Sequence, residues 1–280
     1  MKFLKHYRFL LLRRTIQLGL LFLYFMANYA GWKLLSGNLS ASEVLGVIPL
    51  SDPLAILQLF LAGGALGANA LLGAFIIAAF YALFAGRAFC AYVCPMNLIT
   101  DSANYLRRLL GIDTLQRRLL LRRHARYWVL GMALLLSLVL GLPAFEFISP
   151  IGILHRGIIF GMGMGGAAIL IVFLFDLLAV KNGFCGHLCP LGAFYSLIGR
   201  YSLLKVRYQK ESCTLCMKCK EVCPEKQVLD LIGKQSGYVL SGECLNCGRC
   251  IEVCEGNSLG FSIRSLIEFK KDEKHENIKA

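Results

Sequence analysis

Residues 89–95 read FCAYVCP, and about 95 positions further on residues 184–190 read FCGHLCP. Two Cys four apart share one face of a helix, and the Pro behind them ends that helix or opens the next one at its first turn. Thiols placed this way ligate metal, form a mixed disulfide, or pack as small hydrophobes. Two matched pairs in matched surroundings argue against packing alone, and a reducing cytoplasm disfavours a structural disulfide. Redox chemistry and metal binding both stay open for Cys90, Cys94, Cys185 and Cys189.

The surroundings of the two phrases are apolar. The 280 residues are 57% hydrophobic with a mean hydropathy of +0.61, which is the content of a bilayer protein. Four runs approach the roughly 20 residues that a helix needs to cross a membrane: Thr15 to Leu35, Leu66 to Ala85, Tyr127 to Phe145, and the shortest, Gly166 to Val180. Lys2, Lys5, Arg8, Arg13 and Arg14 precede the first run, but no small-x-small cleavage site follows it, so an uncleaved span is expected. Arg13-Arg14 is only a weak twin-arginine lookalike.

Charge sets the orientation. Met1 to Leu204 carries 17 Lys and Arg against 6 Asp and Glu, whereas Lys205 to Ala280 carries 13 against 11. The apolar part is therefore the basic part of a chain of net charge +13, which points to anionic lipid rather than to nucleic acid. The N-terminus and the loop from Arg87 to Arg126, which includes Arg117, Arg118, Arg122 and Arg123, hold most of these cations. By the positive-inside rule both termini and that loop face the cytoplasm, and both cysteine phrases lie at cytoplasmic span ends. A multi-pass protein of the bacterial inner membrane is expected.

Each phrase closes a unit of span, outer loop with Asp52-Pro53 or Ser149-Pro150, apolar stretch with glycines, and second span. Each unit crosses twice, so the two are parallel repeats about an axis along the membrane normal. Such an axis brings the four cysteines together at one depth. The stretch Met96 to Leu110 reads as an amphipathic helix on the inner leaflet.

Beyond Lys205 the composition turns soluble. Residues 213–224 read CTLCMKCKEVCP and residues 244–254 read CLNCGRCIEVC. Both follow C-x-x-C-x-x-C-x-x-x-C, the spacing of a bacterial ferredoxin with two clusters, in which the fourth Cys of each run serves the other cluster. Cys213, Cys216, Cys219 and Cys254 are expected to hold one 4Fe-4S cluster, and Cys244, Cys247, Cys250 and Cys223 the other. Zinc sites more often show two C-x-x-C pairs with a longer gap. Glu255 stands where Pro would follow the second run. The domains predicted are 1–204, a four-helix transmembrane part, and 205–280, an α+β ferredoxin-like part on the cytoplasmic side. All twelve cysteines are then assigned, there is no C-x-x-C-H for haem, and GMGMGG lacks the preceding strand of a nucleotide-binding turn.

Two such clusters move single electrons, and a membrane part attached to them suggests a quinone as donor or acceptor. Quinol oxidation releases protons. Asp176, inside FLFDLLAV, is the candidate acceptor, because an ionisable group there is expensive; pairing with Arg87, Lys181 or Arg200, or capping of the adjoining segment, is the competing role. His187, between Cys185 and Cys189, either bonds a quinone oxygen or is tolerated at the headgroup boundary. His155, Arg156 and Glu146 read as outer interfacial residues, and Gln58 and Asn69 as polar residues on helix contacts.

Four spans, two C-x-x-x-C-P phrases and a C-terminal double-cluster ferredoxin together resemble the NapH-type membrane subunit of the NapGH quinol dehydrogenase, which serves periplasmic nitrate reductase. The resemblance runs from the basic N-terminus through PLSDPL, FCAYVCPMNLITD, FLFDLLAV and FCGHLCPLGAFYS to both cluster runs. It implies electrons taken from menaquinol or ubiquinol, a NapG-type exported ferredoxin as partner, and a c-type cytochrome downstream. NosR-like and CcoG-like polyferredoxins are longer. Their roles in regulation and assembly leave a second function class open, a maturation or redox-sensing factor. For the four membrane-edge cysteines the expectation is an additional iron–sulfur centre or a redox-active thiol site.

Overall fold

The computed structural model describes residues 7–111, 123–161, 163 and 165–264. Lys2, Lys5 and the Arg117, Arg118 and Arg122 run lie outside these residues. Helix α1, Arg8–Ala30, is rich in Leu, free of Pro, and stops at Gly31 in the left-handed region (φ 68°). Among the described residues it is the one helix long and apolar enough to cross a membrane by length and composition; Ala68–Phe84, Ala125–Leu140, Pro150–Phe160 and Gly165–Ala179 are shorter apolar helices. It also begins earlier than the first predicted run and ends before Leu35, which starts a strand.

That strand belongs to an antiparallel sheet that hydropathy alone did not reveal. β1 (Leu35–Gly37), β2 (Ala41–Val44) and β3 (Ile48–Ser51) pair in sequence order, and β3 packs on helix α3, Ala68–Phe80. Gly73 of α3 lets the strand in: a Cβ there would stand 2.9 Å from the backbone N of Ser51.

The two halves share a series of elements, although among the described residues the sheet β1–β3 has no counterpart in the second half. Asp52 caps α2 (Pro53–Leu61) by accepting from Leu54 N at 3.2 Å, and Ser149 caps α8 (Pro150–Phe160) by accepting from Gly152 N at 3.4 Å. Helix α3 ends in a π turn, Tyr81–Ala85; its counterpart α9, Gly165–Leu174, ends in a π turn at Phe175–Ala179. The cysteine phrases follow, as α4 (Ala88–Tyr92) and as a π turn at Phe184–Leu188. Helices α5 (Met96–Leu109) and α10 (Pro190–Ile198) then start from the two Cys-Pro steps, separated in sequence by α6 (Ala125–Leu140) and α7 (Ala144–Ile148). Backbone meets backbone where the repeats join: Gly86 sits at φ 54°, and a Cβ on Gly199 would fall 2.6 Å from its Cα.

The C-terminal part is a sheet of order β5-β4-β6, with β4 at Leu204–Tyr208, β5 at Gly237–Tyr238 and β6 at Leu259–Ile263, all antiparallel. Two short helices, α11 (Lys218–Val222) and α12 (Arg249–Glu252), carry the cysteine runs. Strand β4 opens at Leu204, one residue ahead of the expected boundary, and follows a 3-10 turn at Gly199–Tyr201 directly. Helix α1 reaches into this part: its Phe9 and Leu10 N–H groups donate to Glu252 Oε1 at 2.6 and 2.8 Å, and Phe9 packs edge-on to Phe261.

Helix α5 is amphipathic as expected, but its polar face turns into the protein rather than toward headgroups. Asn97, Thr100, Asn104 and Arg107 are buried, and Arg107 donates to the carbonyls of Asp176 and Leu177 at 3.3 and 3.1 Å. A π turn leaves carbonyls without their usual partners, and a buried guanidinium supplies the missing donors. Asp101 on the same helix binds Arg14 at 2.5 Å and Arg249 at 2.6 Å, joining α1, α5 and α12.

Candidate functional site

The two ferredoxin runs fold alike. Leu215 (φ 55°) and Met217 (φ 59°) in the first, Asn246 (φ 49°) and Gly248 (φ 75°) in the second, take left-handed backbone at matching positions, two after the first Cys and one after the second. Such conformations cost on the order of 1 to 3 kcal/mol at non-glycine residues, and their repetition gives the two triplets the same backbone curl. Cys213, Cys216, Cys219 and Cys254 line one small cavity, with Cys216 exposed. Cys223, Cys244 and Cys247 all lie within electrostatic reach of Cys250, as does Cys219 of the neighbouring set. Backbone donors face the sulfurs: Leu215 N meets Cys213 Sγ at 3.4 Å and Ser258 N meets Cys254 Sγ at 3.3 Å, the kind of hydrogen bond that tunes a cluster held by such sulfurs. Among the described residues no three Cys, His, Asp or Glu side chains close on one point as ligands of a single ion do. A cubane has its irons at separate corners and asks for thiolates set apart, so this donor set fits it.

The four cysteines of the two Cys-x-x-x-Cys-Pro phrases meet. Cys90, Cys94, Cys185 and Cys189 line a single cavity, with Arg87, Thr100 and Glu225 in its wall. Cys94 and Cys189 sit at matching helix starts: Cys189 Sγ accepts from Gly192 N at 3.4 Å, and Cys94 faces the N–H groups of Met96 and Asn97. A helix N-terminus favours negative charge. Thr100 Oγ1 stands 3.3 Å from Cys185 Sγ, and Gly192 leaves room for Arg87, whose Nη2 a Cβ there would meet at 2.8 Å. Two helix starts and one guanidinium thus converge on four sulfurs. The next set of cysteines adjoins: Cys90 and Cys247 pack against the same two buried side chains, Ala91 and Leu245.

Glu225 locks the halves together. It follows Cys223-Pro224 and accepts from Arg87 Nη1 and Arg126 Nη1, each at 2.7 Å, while Arg123 and Gln227 bind its second oxygen. Arg87 and Arg126 are 1% and 0% exposed. Burial pushes the Glu225 carboxyl up, and the guanidinium groups of Arg87, Arg126 and Arg123 more than reverse this, holding it at about 2. Arg126 also pairs with Glu243, and Arg87 Nη2 donates to Cys185 O at 3.0 Å.

Asp176 and His187 lie on the rim of this arrangement. Asp176 Oδ1 accepts from Phe184 N at 2.8 Å, tying the π turn of α9 to the second cysteine phrase. Of the cations weighed as its partners, Arg87 is bridged to Glu225 instead, and the bond to Phe184 N is the capping alternative. His187 is buried near Arg123 and Glu225. Glu225 itself escaped the sequence reading; the signal was a carboxylate directly after a Cys-Pro step, in a chain whose first 204 residues are rich in Arg. Gln58 does more than sit on a helix contact, and Gln17, passed over in the sequence, is buried beside the first cysteine phrase. Gln17 Nε2 donates to Ala91 O at 3.0 Å and Cys94 O at 3.3 Å, and Gln58 Oε1 accepts from Phe145 N at 2.9 Å.

Fold and donor set together define a ferredoxin-type iron–sulfur electron carrier. A model described as a 4Fe-4S binding domain matches residues 66–113 and 161–210, the two cysteine-phrase repeats, and one described as a 4Fe-4S dicluster domain matches residues 205–255. The chain is 44% identical to the ferredoxin-type protein NapH of Haemophilus influenzae over 262 residues, covering 92% of this chain and 90% of that one. It is 44% identical to the methylamine utilization ferredoxin-type protein MauN of Methylorubrum extorquens (90% and 88% covered) and 40% identical to NapH of Escherichia coli (93% and 91% covered). The chain belongs to this family of NapH and MauN ferredoxin-type proteins. No solved structure matches it.

Proposed function

We propose that the chain is the membrane-embedded electron-transfer subunit of a quinol dehydrogenase, with four spans in two parallel repeats and with its termini, cysteine phrases and ferredoxin part on the cytoplasmic side. Three 4Fe-4S centres are assigned: one to Cys213, Cys216, Cys219 and Cys254, one to Cys244, Cys247, Cys250 and Cys223, and an additional one to Cys90, Cys94, Cys185 and Cys189. The observation that carries this reading is the single cavity lined by those last four sulfurs, next to Cys247 through Ala91 and Leu245. When bound, such centres supply one-electron storage and exchange.

The chain's own residues hold the stations in line. Arg87 and the starts of α5 and α10 offset the charge of four thiolates. Glu225 fixes the distance between the additional centre and Cys223. Asp176 positions the second cysteine phrase through Phe184 N–H, the capping role weighed above against proton transfer, and His187 packs against the Glu225 bridge. A NapG-type exported ferredoxin and a c-type cytochrome are the partners that the NapH resemblance implies. Identity to NapH of Haemophilus influenzae and to MauN of Methylorubrum extorquens is equal at 44%, so delivery toward nitrate reduction rests on the NapH side of that likeness alone.

Anaerobic purification followed by iron and acid-labile sulfide analysis tests the assignment. Three centres require about twelve irons per chain and two require about eight; a value near eight removes the additional centre. Titration with a menaquinol analogue, read by low-temperature EPR, tests the donor. Clusters that ignore quinol would transfer support to an assembly or redox-sensing role.

A further inference from the structure

A second cavity, of about 180 Å³, lies on the other side of the first cysteine phrase. Phe89 lines both cavities, and Val93, the neighbour of Cys94, lines the second. Helix α1 works as a ruler through the molecule. Phe9 touches the ferredoxin part, Gln17 binds the carbonyls of the cysteine phrase, and Leu20 and Tyr24 line the second cavity. At 1.5 Å per residue, Gln17 lies about 12 Å along the axis from Phe9, and Tyr24 about 10 Å further on. The second cavity is thus on the side away from the ferredoxin part, under the sheet β1–β3.

Its walls suit a flat ring. Tyr195 stacks on Phe89 with centroids 4.7 Å apart, and Tyr81 meets Tyr195 edge-on at 5.1 Å. Leu20, Leu39 and Ile77 complete an apolar lining. Ser42, Ser51 and Asp52 are also in the lining. Tyr195 is 0% exposed, yet its hydroxyl has no hydrogen-bond partner among the described residues, and a hydroxyl buried without a partner costs about 1 to 3 kcal/mol. Asp52 lies within electrostatic reach of Tyr195 and caps α2 through Oδ1. The space holds several waters or one ring, and the ring is the better fit to walls built of Tyr24, Tyr81, Phe89 and Tyr195 with few polar groups among them.

We propose that this cavity is the quinone headgroup site, with the Tyr195 hydroxyl donating to a ring oxygen and Asp52 accepting from the quinol hydroxyl at the same position. It rests on the quinol reading given above and adds the place and the residues. Oxidation of the quinol to quinone gives up two protons and two electrons, the electrons taken one at a time by the iron–sulfur centres proposed above. Asp52 takes the proton of the hydroxyl it binds and, being half-buried, returns it to solvent on the side away from the ferredoxin part, and the proton of the second hydroxyl passes to water. Burial lifts its carboxyl to about 7, the value of an acceptor that reloads at neutral pH. The ring would be separated from the four-sulfur cavity by no more than the Phe89 and Val93 side chains.

The test uses the full chain, purified with its iron, and two probes: 2-heptyl-4-hydroxyquinoline N-oxide, whose fluorescence is quenched on binding, and a photoreactive azido-naphthoquinone mapped by peptide sequencing. Tyr195→Phe keeps the stacked ring and should weaken the N-oxide three- to tenfold, the worth of one neutral hydrogen bond, with iron content and EPR spectra unaltered. Leu20→Trp, which fills the cavity from α1, should abolish labelling. Asp52→Asn keeps the helix cap and should bind the probe while slowing reduction by quinol at least tenfold. Label on the peptides of α1 around Leu20 to Tyr24 or of α10 supports the site. Label confined to the groove near Arg14, Asp101 and Cys223, or a Tyr195→Phe protein with unchanged affinity, overturns the site and leaves the quinol reading standing. A wild-type protein that binds neither probe overturns both.

Discussion

Replacing Glu225 with Gln removes one negative charge from the seam between the helical and ferredoxin parts while keeping the side chain's shape. In the folded protein its carboxyl lies at about 2, against 4.5 for a free glutamate. At 1.36 kcal/mol per unit, the charged form gains about 3 kcal/mol from its surroundings. Loss of one member of a buried ion pair independently suggests about 3 to 5 kcal/mol. Arg126 would keep Glu243, whereas Arg87 would retain only carbonyl acceptors at Cys185 and Glu243. A cost of about 3 kcal/mol raises the open population of the seam about 100-fold. Hydrogen–deuterium exchange of the detergent-purified protein reads this directly, in peptides covering residues 88–92 and 224–229. Glu255→Gln makes the same change of charge at an exposed pair with Lys218 and should leave exchange as it is. Exchange in Glu225→Gln within threefold of wild type, with iron retained, would refute the claim that this charge holds the halves together.

Two further outcomes follow from the same contacts. The Glu225 carboxyl is depressed in the folded state, so its contribution is fully present above about 4.5 and is lost as pH falls through about 2; seam amides should stay protected at pH 5 and open cooperatively below pH 4. Gly199→Ala places a methyl 2.6 Å from Gly86 Cα, where only backbone can yield; a loss of about 1 to 3 kcal/mol in denaturant unfolding is expected, against little change for Gly131→Ala on α6, where nothing lies within 4 Å.

What was legible in the chain was chemistry written in spacing. The cysteine runs announce their partners because a cubane imposes fixed intervals, and the Cys-Pro phrases announce a repeat because their flanks match. The sheet β1–β3 was hidden because its strands are three or four residues long and sit between apolar helices, where hydropathy carries no period of two. The π turns at Tyr81–Ala85 and Phe175–Ala179 leave no mark in composition. Asp176 drew notice as a charge in an apolar run, yet the carboxylate that binds two buried arginines is Glu225, in a stretch of ordinary polarity. Pairing across 138 positions, from Arg87 to Glu225, is a property of the closed fold, and a single sequence does not display it. Asp52 was noted only as the residue before Pro53, since its neighbour Tyr195 lies in the other repeat.

The bond from Glu252 to the first turn of α1 has a consequence for biogenesis. Amides of Phe9 and Leu10 are synthesised 242 to 243 positions ahead of the acceptor that satisfies them. Glu252 ends α12, the helix that presents Cys250, so its place depends on how the second cysteine run is folded. The first turn of α1 therefore waits for the ferredoxin part, and a chain whose second cysteine run is misfolded leaves that turn unsealed, a defect that quality-control proteases can read.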